Sequence, residues 1–450
     1  MGSLTSLTRR SLIRAGLGTT LAGGALTLAA CGAGEGAAPS AAQPSKPVQG
    51  RVEFWGLASP MLETFGKEFA ERNQGMTVEY VPRANWVELF EKLYAAIAGD
   101  TGPDLVRVKE YNAIDLGAIK ALQPLDPFIK ADKSFKADQF TPEQWKTANF
   151  DGAQYGVPFY NSIHVLLWSK PLLQAVGLSP DKGPQSWTEF RDAARRTAKP
   201  DENQWGYKLF DYGTREAVMV WWLRFAWTNG GRLFDQEATK VTVNTEPCIE
   251  ALQLFTDMLY KDRSAAPPER NADVSGPKGN VALWETGAYG MVDMDKQAPS
   301  VPYGVAELPW AKQKLALVYQ DNLIMTRSGK NKDAGWAFLR YMTEPEQDYR
   351  WSLDGGALPS RKENFKRAPF DGSDAKWKVF VDAFNSPTSK AKPVVIKWED
   401  FCLTITQELD AAFKNQKSPK QALDEAARKA TQFVQENGST RLTRHLLKDK

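Results

Sequence analysis

Val52-Glu53-Phe54-Trp55 alternates as a strand does, Met76-Thr77-Val78-Glu79-Tyr80 does so again, and Leu105-Val106 supplies a third apolar pair. The segments between them read as helices. Ser59 and Pro60 place a capping hydroxyl and then a proline at the first helical position, ahead of Met61, Leu62, Phe65 and Phe69 at helical spacing. Asn85 caps a second run in which Trp86, Leu89, Phe90, Leu93 and Ile97 share one face, with Gly99 just past its end. A βαβαβ rhythm predicts a mostly parallel sheet with helices on both faces.

Downstream the rhythm continues. Ile163 to Trp168 reads as a strand, and Met291-Val292 and Leu323-Ile324-Met325 as short ones. Helices are expected at 187–198, 214–229, 246–261, 277–287, 332–342, 345–353, 373–385, 398–414 and 418–436, so the last third is dominated by helix.

Upstream of Arg51 the chain has another character. Arg9-Arg10 and Arg14 precede a weakly apolar stretch rich in glycine and threonine, which ends at Leu28-Ala29-Ala30-Cys31-Gly32. This is the layout of an export signal. The Leu-Ala-Ala-Cys ending resembles a lipobox, in which Cys31 takes lipid and becomes the N-terminus, and the paired arginines resemble a twin-arginine signal. A spanning helix needs about 20 predominantly apolar residues, which 15–30 does not supply. Residues 1–30 are therefore read as the signal and 31–50, made of Gly, Ala, Ser, Pro and Gln, as a flexible tether.

The leader carries three of the 57 basic residues and no acidic one, so the rest of the chain balances its 54 acidic residues. That balance argues against a nucleic-acid binder, which carries a surplus of Lys and Arg. With His164 and His445 alone, and no Cys-x-x-Cys, no metal or cofactor site is expected. Cys248 and Cys402 are read as buried thiols, with a disulfide as the alternative. No nucleophile elbow, P-loop or dinucleotide fingerprint occurs. The carboxylates Glu285, Asp293, Asp295, Glu399 and Asp400 keep an exported carbohydrate-active enzyme as the alternative of another class.

A series of short motifs then accumulates in order: Trp55-Gly56, Gly102-Pro103-Asp104-Leu105-Val106, Tyr155-Gly156-Val157-Pro158, and Leu167 to Leu173 leading into Ala175-Val176-Gly177-Leu178. Pro184 to Phe190, Trp205-Gly206-Tyr207, Asn229-Gly230-Gly231, Tyr289-Gly290-Met291 and Tyr303 to Pro309 follow. Ser328 to Asp333 with Ala337-Phe338-Leu339, and Gly356 to Arg361, complete it. Across residues 51–436 this order resembles the family 1 extracellular solute-binding proteins, the carbohydrate-type receptors of ATP-driven (ABC) importers.

The resemblance implies an α/β fold of the two-lobed, type II periplasmic-binding-protein kind, with ligand in the cleft. Residues 51–160 with 320–355 would form the N-terminal lobe, and 161–319 with 356–450 the C-terminal lobe. The chain would cross near Tyr160, return near Tyr319 to Asn322, and cross again near Gly355 to Ser360. It further implies a monomeric receptor, not an enzyme, that needs no cofactor, hands a small polar solute to a membrane permease, and sits on the extracytoplasmic face through lipidated Cys31. The cargo would be a sugar or oligosaccharide, with a polyol, sugar phosphate or other polar solute as the alternative.

Ligands of open α/β sheets sit beyond the carboxyl ends of strands. That rule selects Trp55, the Lys109–Asn112 zone with Glu110, Tyr160 and Asn161, and Asp293 and Asp295. The resemblance adds the Trp221-Trp222 helix, the Gln320–Asn322 crossing, Arg361 and the start of the helix at Trp398. A sugar needs flat aromatic faces and a rim of hydrogen-bonding groups. Trp55, Tyr160, Trp222 and Trp398 are the candidate platforms, and Glu110, Asn161, Asp293, Asp295, Asn322 and Arg361 the candidate polar partners. The chain departs from the family pattern at Tyr319-Gln320-Asp321-Asn322, where many members are small and Gly-rich, and at Asp293-Met294-Asp295-Lys296. Both departures predict a bulkier, more polar pocket wall.

Overall fold

A computed structural model describes residues 49–209, 214–237 and 239–437. The signal, most of the tether including Cys31, and His445 lie outside the described residues. In chain order the strands are β1 Gly50–Leu57, β2 Met76–Arg83, β3 Leu105–Lys109, β4 Asn149–Phe150, β5 Ala153–Gln154, β6 Gly156–Ile163 and β7 Val165–Ser169. They continue as β8 Trp205–Lys208, β9 Ala265–Ala266, β10 Val281–Thr286, β11 Tyr303–Ala306, β12 Ala316–Met325 and β13 Ser389–Ala391.

Two sheets organise the molecule. The first has the order β13-β12-β3-β1-β2, with β6 also on β12; the second has the order β11-β7-β10-β8-β9. In the first, β1 pairs in parallel with β2 and β3, as the opening rhythm predicts. The switch between sheets takes one residue: β6 ends at Ile163, β7 begins at Val165, and His164 stands between them.

The register of β12 matters most for the site. One of its edges is covered by β6 from Val318 to Ile324. The other is shared. There β3 runs antiparallel and ends with Lys109 opposite Asp321, while β13 runs parallel and ends with Ala391 opposite Val318. The two strand ends therefore face each other across Tyr319 and Gln320. A third segment lies beside β6, where the Leu358 amide donates to the Asn161 carbonyl.

Local chemistry explains several helix starts. Ser59 accepts from the Leu62 amide with Pro60 in the first turn, and Asn85 accepts from the Glu88 amide. Ser186 with Glu189, and Ser418 with Gln421, form capping boxes. The Ala217–Thr228 helix is buried from Val218 to Thr228, so it lies inside the helical layer made with Glu246–Tyr260 and Trp398–Phe413. An apolar cluster runs from Leu89, Phe90 and Tyr111 through Trp222 and Phe255 to Phe401 and Leu409. A second cluster fills the space under β1 around Phe54, Phe65 and Phe338.

Two expected elements are reversed. The stretch expected as a helix at 277–287 contains β10, and the expected strand at Met291-Val292 lies inside a helix, Ala288–Gln297. Val281-Ala282-Leu283-Trp284 is a short apolar run, which suits either state until its neighbours are known. Here it is buried between β7 and β8. The stretch from Ile163 to Trp168 is broken at His164. Cys248 and Cys402 are both free and buried. Among the described residues no helix is long and apolar enough to cross a membrane, and no metal-binding cluster of His, Cys, Asp and Glu is found.

Candidate functional site

A chamber of about 400 Å³ opens where the ends of β3, β6, β8 and β10 converge with β12 and the Ala217–Thr228 helix. The first sheet contributes Arg107, Lys109, Tyr160, Ser162, Tyr319 and Asp321; the second sheet and its helices contribute Lys208, Glu216, Trp221, Arg224, Trp284, Glu285 and Tyr289. Trp86 and Trp351 complete the aromatic wall. Tyr289 is 44% exposed and stands at the mouth.

Most of the charge in this wall is balanced. Arg107 donates from Nε (2.9 Å) and Nη2 (2.5 Å) to the same oxygen, Oδ2 of Asp321. Its guanidinium also lies 4.9–5.3 Å from the ring centres of Trp86, Tyr160 and Trp351. Arg224 donates to Glu285 (2.5 Å) and to the Tyr319 hydroxyl (2.9 Å), while Glu285 accepts from the Tyr207 hydroxyl at 2.6 Å. The Trp221 indole N–H donates to that same hydroxyl at 3.0 Å. Burial pushes the Glu285 carboxyl up, against the opposing pull of Arg224. Arg224 itself lies above its ordinary value, because its carboxylate and phenol neighbours outweigh the desolvation that pushes it down.

Behind the chamber lies a buried ion triad. Lys392 Nζ is 2.8 Å from Glu110 Oε1, and 2.9 and 2.8 Å from the two oxygens of Glu216. Trp398 Nε1 donates to Glu216 at 2.6 Å. Burial raises the Glu110 carboxyl. Burial also pushes Glu216 up, but the charges of Lys392 and Lys109 and the hydrogen bonds from Lys392 and Trp398 together outweigh it, and Glu216 falls below its usual range. Lys109 is not in this group; its ammonium sits 4.6 Å over the Trp86 ring. Burial, together with the charges of Arg224, Lys109 and Lys392, holds the His164 imidazole well below its usual range. The chamber thus meets a solute with aromatic faces, hydroxyls, a neutral imidazole and charge pairs already neutralised. That combination suits multidentate hydrogen bonding to a polar molecule with apolar patches.

Of the expected site residues, Tyr160 lines the chamber. Glu110 lies one step behind it, in the triad. The others are placed elsewhere. Trp55 is 8% exposed, donates to Glu53 and stacks under Arg83. Asn161 is buried and donates to the Pro359 carbonyl at 3.0 Å, tying β6 to the third segment. Asn322 is buried and accepts from Gln320. Trp222 is core, and its neighbour Trp221 is the chamber residue. Trp398 is core and donates to Glu216. Asp293 and Asp295 are exposed on the Ala288–Gln297 helix, where Asp295 accepts from Tyr303 and Lys376. Arg361 donates to the Thr343 carbonyl and packs on Phe140, and its amide donates to Asp348. Sequence reading missed Arg107, Ser162, His164, Lys208, Arg224 and Tyr289. The departure at Tyr319–Asn322 was the available signal for a polar wall, and it supplies Tyr319 and Asp321.

Residues 56–349 match the family model for bacterial extracellular solute-binding proteins. A binding protein of Brucella abortus (strain 2308) is 25% identical over 390 residues, covering 84% of this chain and 91% of its own. The sn-glycerol-3-phosphate-binding periplasmic protein UgpB of Escherichia coli (strain K12) is 23% identical over 410 residues, covering 85% and 92%. Among solved structures, the ABC substrate-binding protein Lmo0181 of Listeria monocytogenes, in complex with cycloalternan, superposes with a TM-score of 0.77 at 20% identity over 86% of this chain and 99% of that one.

Proposed function

The chain belongs to the bacterial extracellular solute-binding proteins, and on that premise we propose that it is the receptor of an ABC importer, capturing a sugar or short oligosaccharide in the chamber and delivering it to a membrane permease. The observation that carries the cargo reading is the lining itself: aromatic faces and hydroxyls around charge pairs that need no charged ligand to complete them. The volume of about 400 Å³ lies at the small end of the range for ligand pockets, so a compact cargo is favoured over a long chain. Residues 51–160 with 320–355, and 161–319 with 356–450, are the two lobes of this reading. A solute that touches both binds the closed form better and shifts the population by that difference.

A second cargo is favoured by Lys109, which faces the chamber against a ring rather than a carboxylate. An ammonium there suits a polyol phosphate, and one of the relatives is a glycerol-phosphate binder by name. Titration calorimetry with mono- and disaccharides, a polyol and sn-glycerol 3-phosphate separates the two. Sugar binding that persists in Lys109→Met supports the first reading; phosphate binding lost in that variant supports the second. Silence across the panel with binding of another solute class would overturn both. Turnover of a chromogenic glycoside is the outcome that would favour an enzyme.

The same reading puts the protein outside the cytoplasm as a monomer, with Cys31 as its lipid attachment and 31–50 as the tether.

A further inference from the structure

The two edges of β12 differ in continuity. Its β6 edge is paired from Val318 to Ile324, with a bulge in β6 opposite Asp321 and Asn322. Its other edge is cut between the ends of β3 and β13, at Lys109 and Ala391, opposite Tyr319 and Gln320. The residues that leave those two ends are Glu110 and Lys392, and they form an ion pair across the cut. We propose that the Glu110–Lys392–Glu216 triad is a latch that spans this cut and holds the receptor closed in the absence of solute. The proposal rests on the two-lobed reading above, in which Glu110 belongs to one lobe and Lys392 and Glu216 to the other.

The elements on the two sides pack into different neighbours. The helix Glu110–Ala118 packs against β3, β4 and β12. Glu216 begins the helix Ala217–Thr228, which packs against Glu246–Tyr260 and Trp398–Phe413. Between those two bodies, side chains make the polar ties. The Tyr111 hydroxyl donates to Glu399 at 3.0 Å, and Asp115 accepts the Lys397 amide at 2.7 Å, capping the Trp398–Phe413 helix from outside it. The apolar cluster is also continuous from Tyr111 to Phe401, so closing buries apolar area beside the charges.

Lys392, Glu110 and Glu216 are each at most 5% exposed. A buried charge is tolerated when paired and opposed strongly when its partner is removed. Without Lys392, closing would bring two carboxylates together with no cation between them. The other groups facing them are Lys109 from the end of β3, Tyr111 from the helix that Glu110 begins, Tyr319 from β12, and Glu399, Cys402 and the Trp398 N–H from the helix on the far side. Glu399 adds to the repulsion, and acid relieves it.

The test measures an interlobe distance by pulsed electron resonance, in the full chain with Cys31→Ser and spin labels at Glu71→Cys and Glu202→Cys. Both positions are exposed, one beside each sheet, and the native Cys248 and Cys402 are buried. The solute-free protein is expected to show a short-distance population. Lys392→Met should deplete it roughly tenfold or more at about pH 8 and regain it at about pH 5. Lys392→Met with Glu110→Gln should regain part of it at the higher pH. Should Lys392→Met not fold, Glu110→Lys is read instead and should also lose the short population. A solute-free protein that is wholly open, or a short population untouched by these variants, overturns the latch. If maltose, D-mannitol and sn-glycerol 3-phosphate still shift the distance in that case, the two-lobed receptor stands; a single distance that no variant, pH or solute moves counts against both.

Discussion

Trp221 and Trp222 are chain neighbours with opposite surroundings. Trp222 is fully buried among the helices, whereas the Trp221 ring lines the chamber and its N–H is held by Tyr207. Truncating a buried tryptophan removes its transfer energy and leaves a cavity, so Trp222→Ala should cost about 3–5 kcal/mol of stability. It should leave solute affinity per folded molecule unchanged. Tyr289 is the converse case. At 44% exposure its ring supports little of the core, so Tyr289→Ala should change stability by no more than about 0.5 kcal/mol. If the ring covers an apolar face of the bound solute, affinity should fall by about 1–3 kcal/mol. Denaturant unfolding and calorimetry on both variants, with whichever solute of the panel binds, check the pair. Equal affinity in Tyr289→Ala would remove that ring from the site.

The helices are fixed to the sheets by contacts of different kinds, and these respond differently to substitution and pH. Gly206 in β8 lies under the Trp187–Thr197 helix, where an added Cβ would stand 2.0 Å from the Ala194 carbonyl oxygen. Gly206→Ala must push the helix away, and an overpacking cost of about 1–3 kcal/mol or more is expected in thermal unfolding. The Pro60–Arg72 helix is tied to Pro345–Asp354 by Glu68, which accepts from Arg350 at 2.7 and 2.8 Å and from the Tyr341 hydroxyl. The Arg350 hydrogen bonds hold the Glu68 carboxyl below its usual value. A depressed carboxyl contributes stability above its unfolded pKa and loses it as pH falls through the folded one. Arg350→Met should therefore cost about 0.5–1 kcal/mol at neutral pH, and its difference from the parent should shrink in acid, below about pH 4. A difference that persists there would assign the cost to packing. Capping and close approach are local signals, which is why several helix starts were legible in the sequence. The site was legible only as zones. The strand-end rule found the Lys109 zone and Tyr160, but a strand turns successive side chains to opposite faces. Tyr160 and Asp321 face the chamber, so Asn161 and Asn322 back away from it. Arg107 and Arg224 sit inside apolar-looking elements, and only the tertiary pairing with Asp321 and Glu285 explains them.

At the scale of the whole molecule, the receptor reading requires a soluble body held near a membrane, and the described residues offer no spanning helix to do it. Basic and acidic residues balance beyond residue 30, whereas anionic lipid attracts clusters of Lys and Arg. The proposed reading assigns attachment to Cys31. A single acyl chain binds a bilayer marginally, whereas two chains anchor it stably, and a lipobox cysteine would carry a diacylglyceryl group. Cys31→Ser should therefore move the protein from the membrane fraction to the soluble one. In that reading residues 31–50 tether Cys31 to the first strand at Gly50, so the folded body should not register the change. Its melting temperature, and its affinity for any solute found in the panel, should match the parent protein extracted in detergent. Fractionation of cells expressing each form, followed by thermal unfolding of the recovered protein, makes the comparison. Membrane retention by Cys31→Ser would mean that the leader stays attached and anchors the chain itself. Release with an altered melting temperature would mean that the tether packs on the folded body.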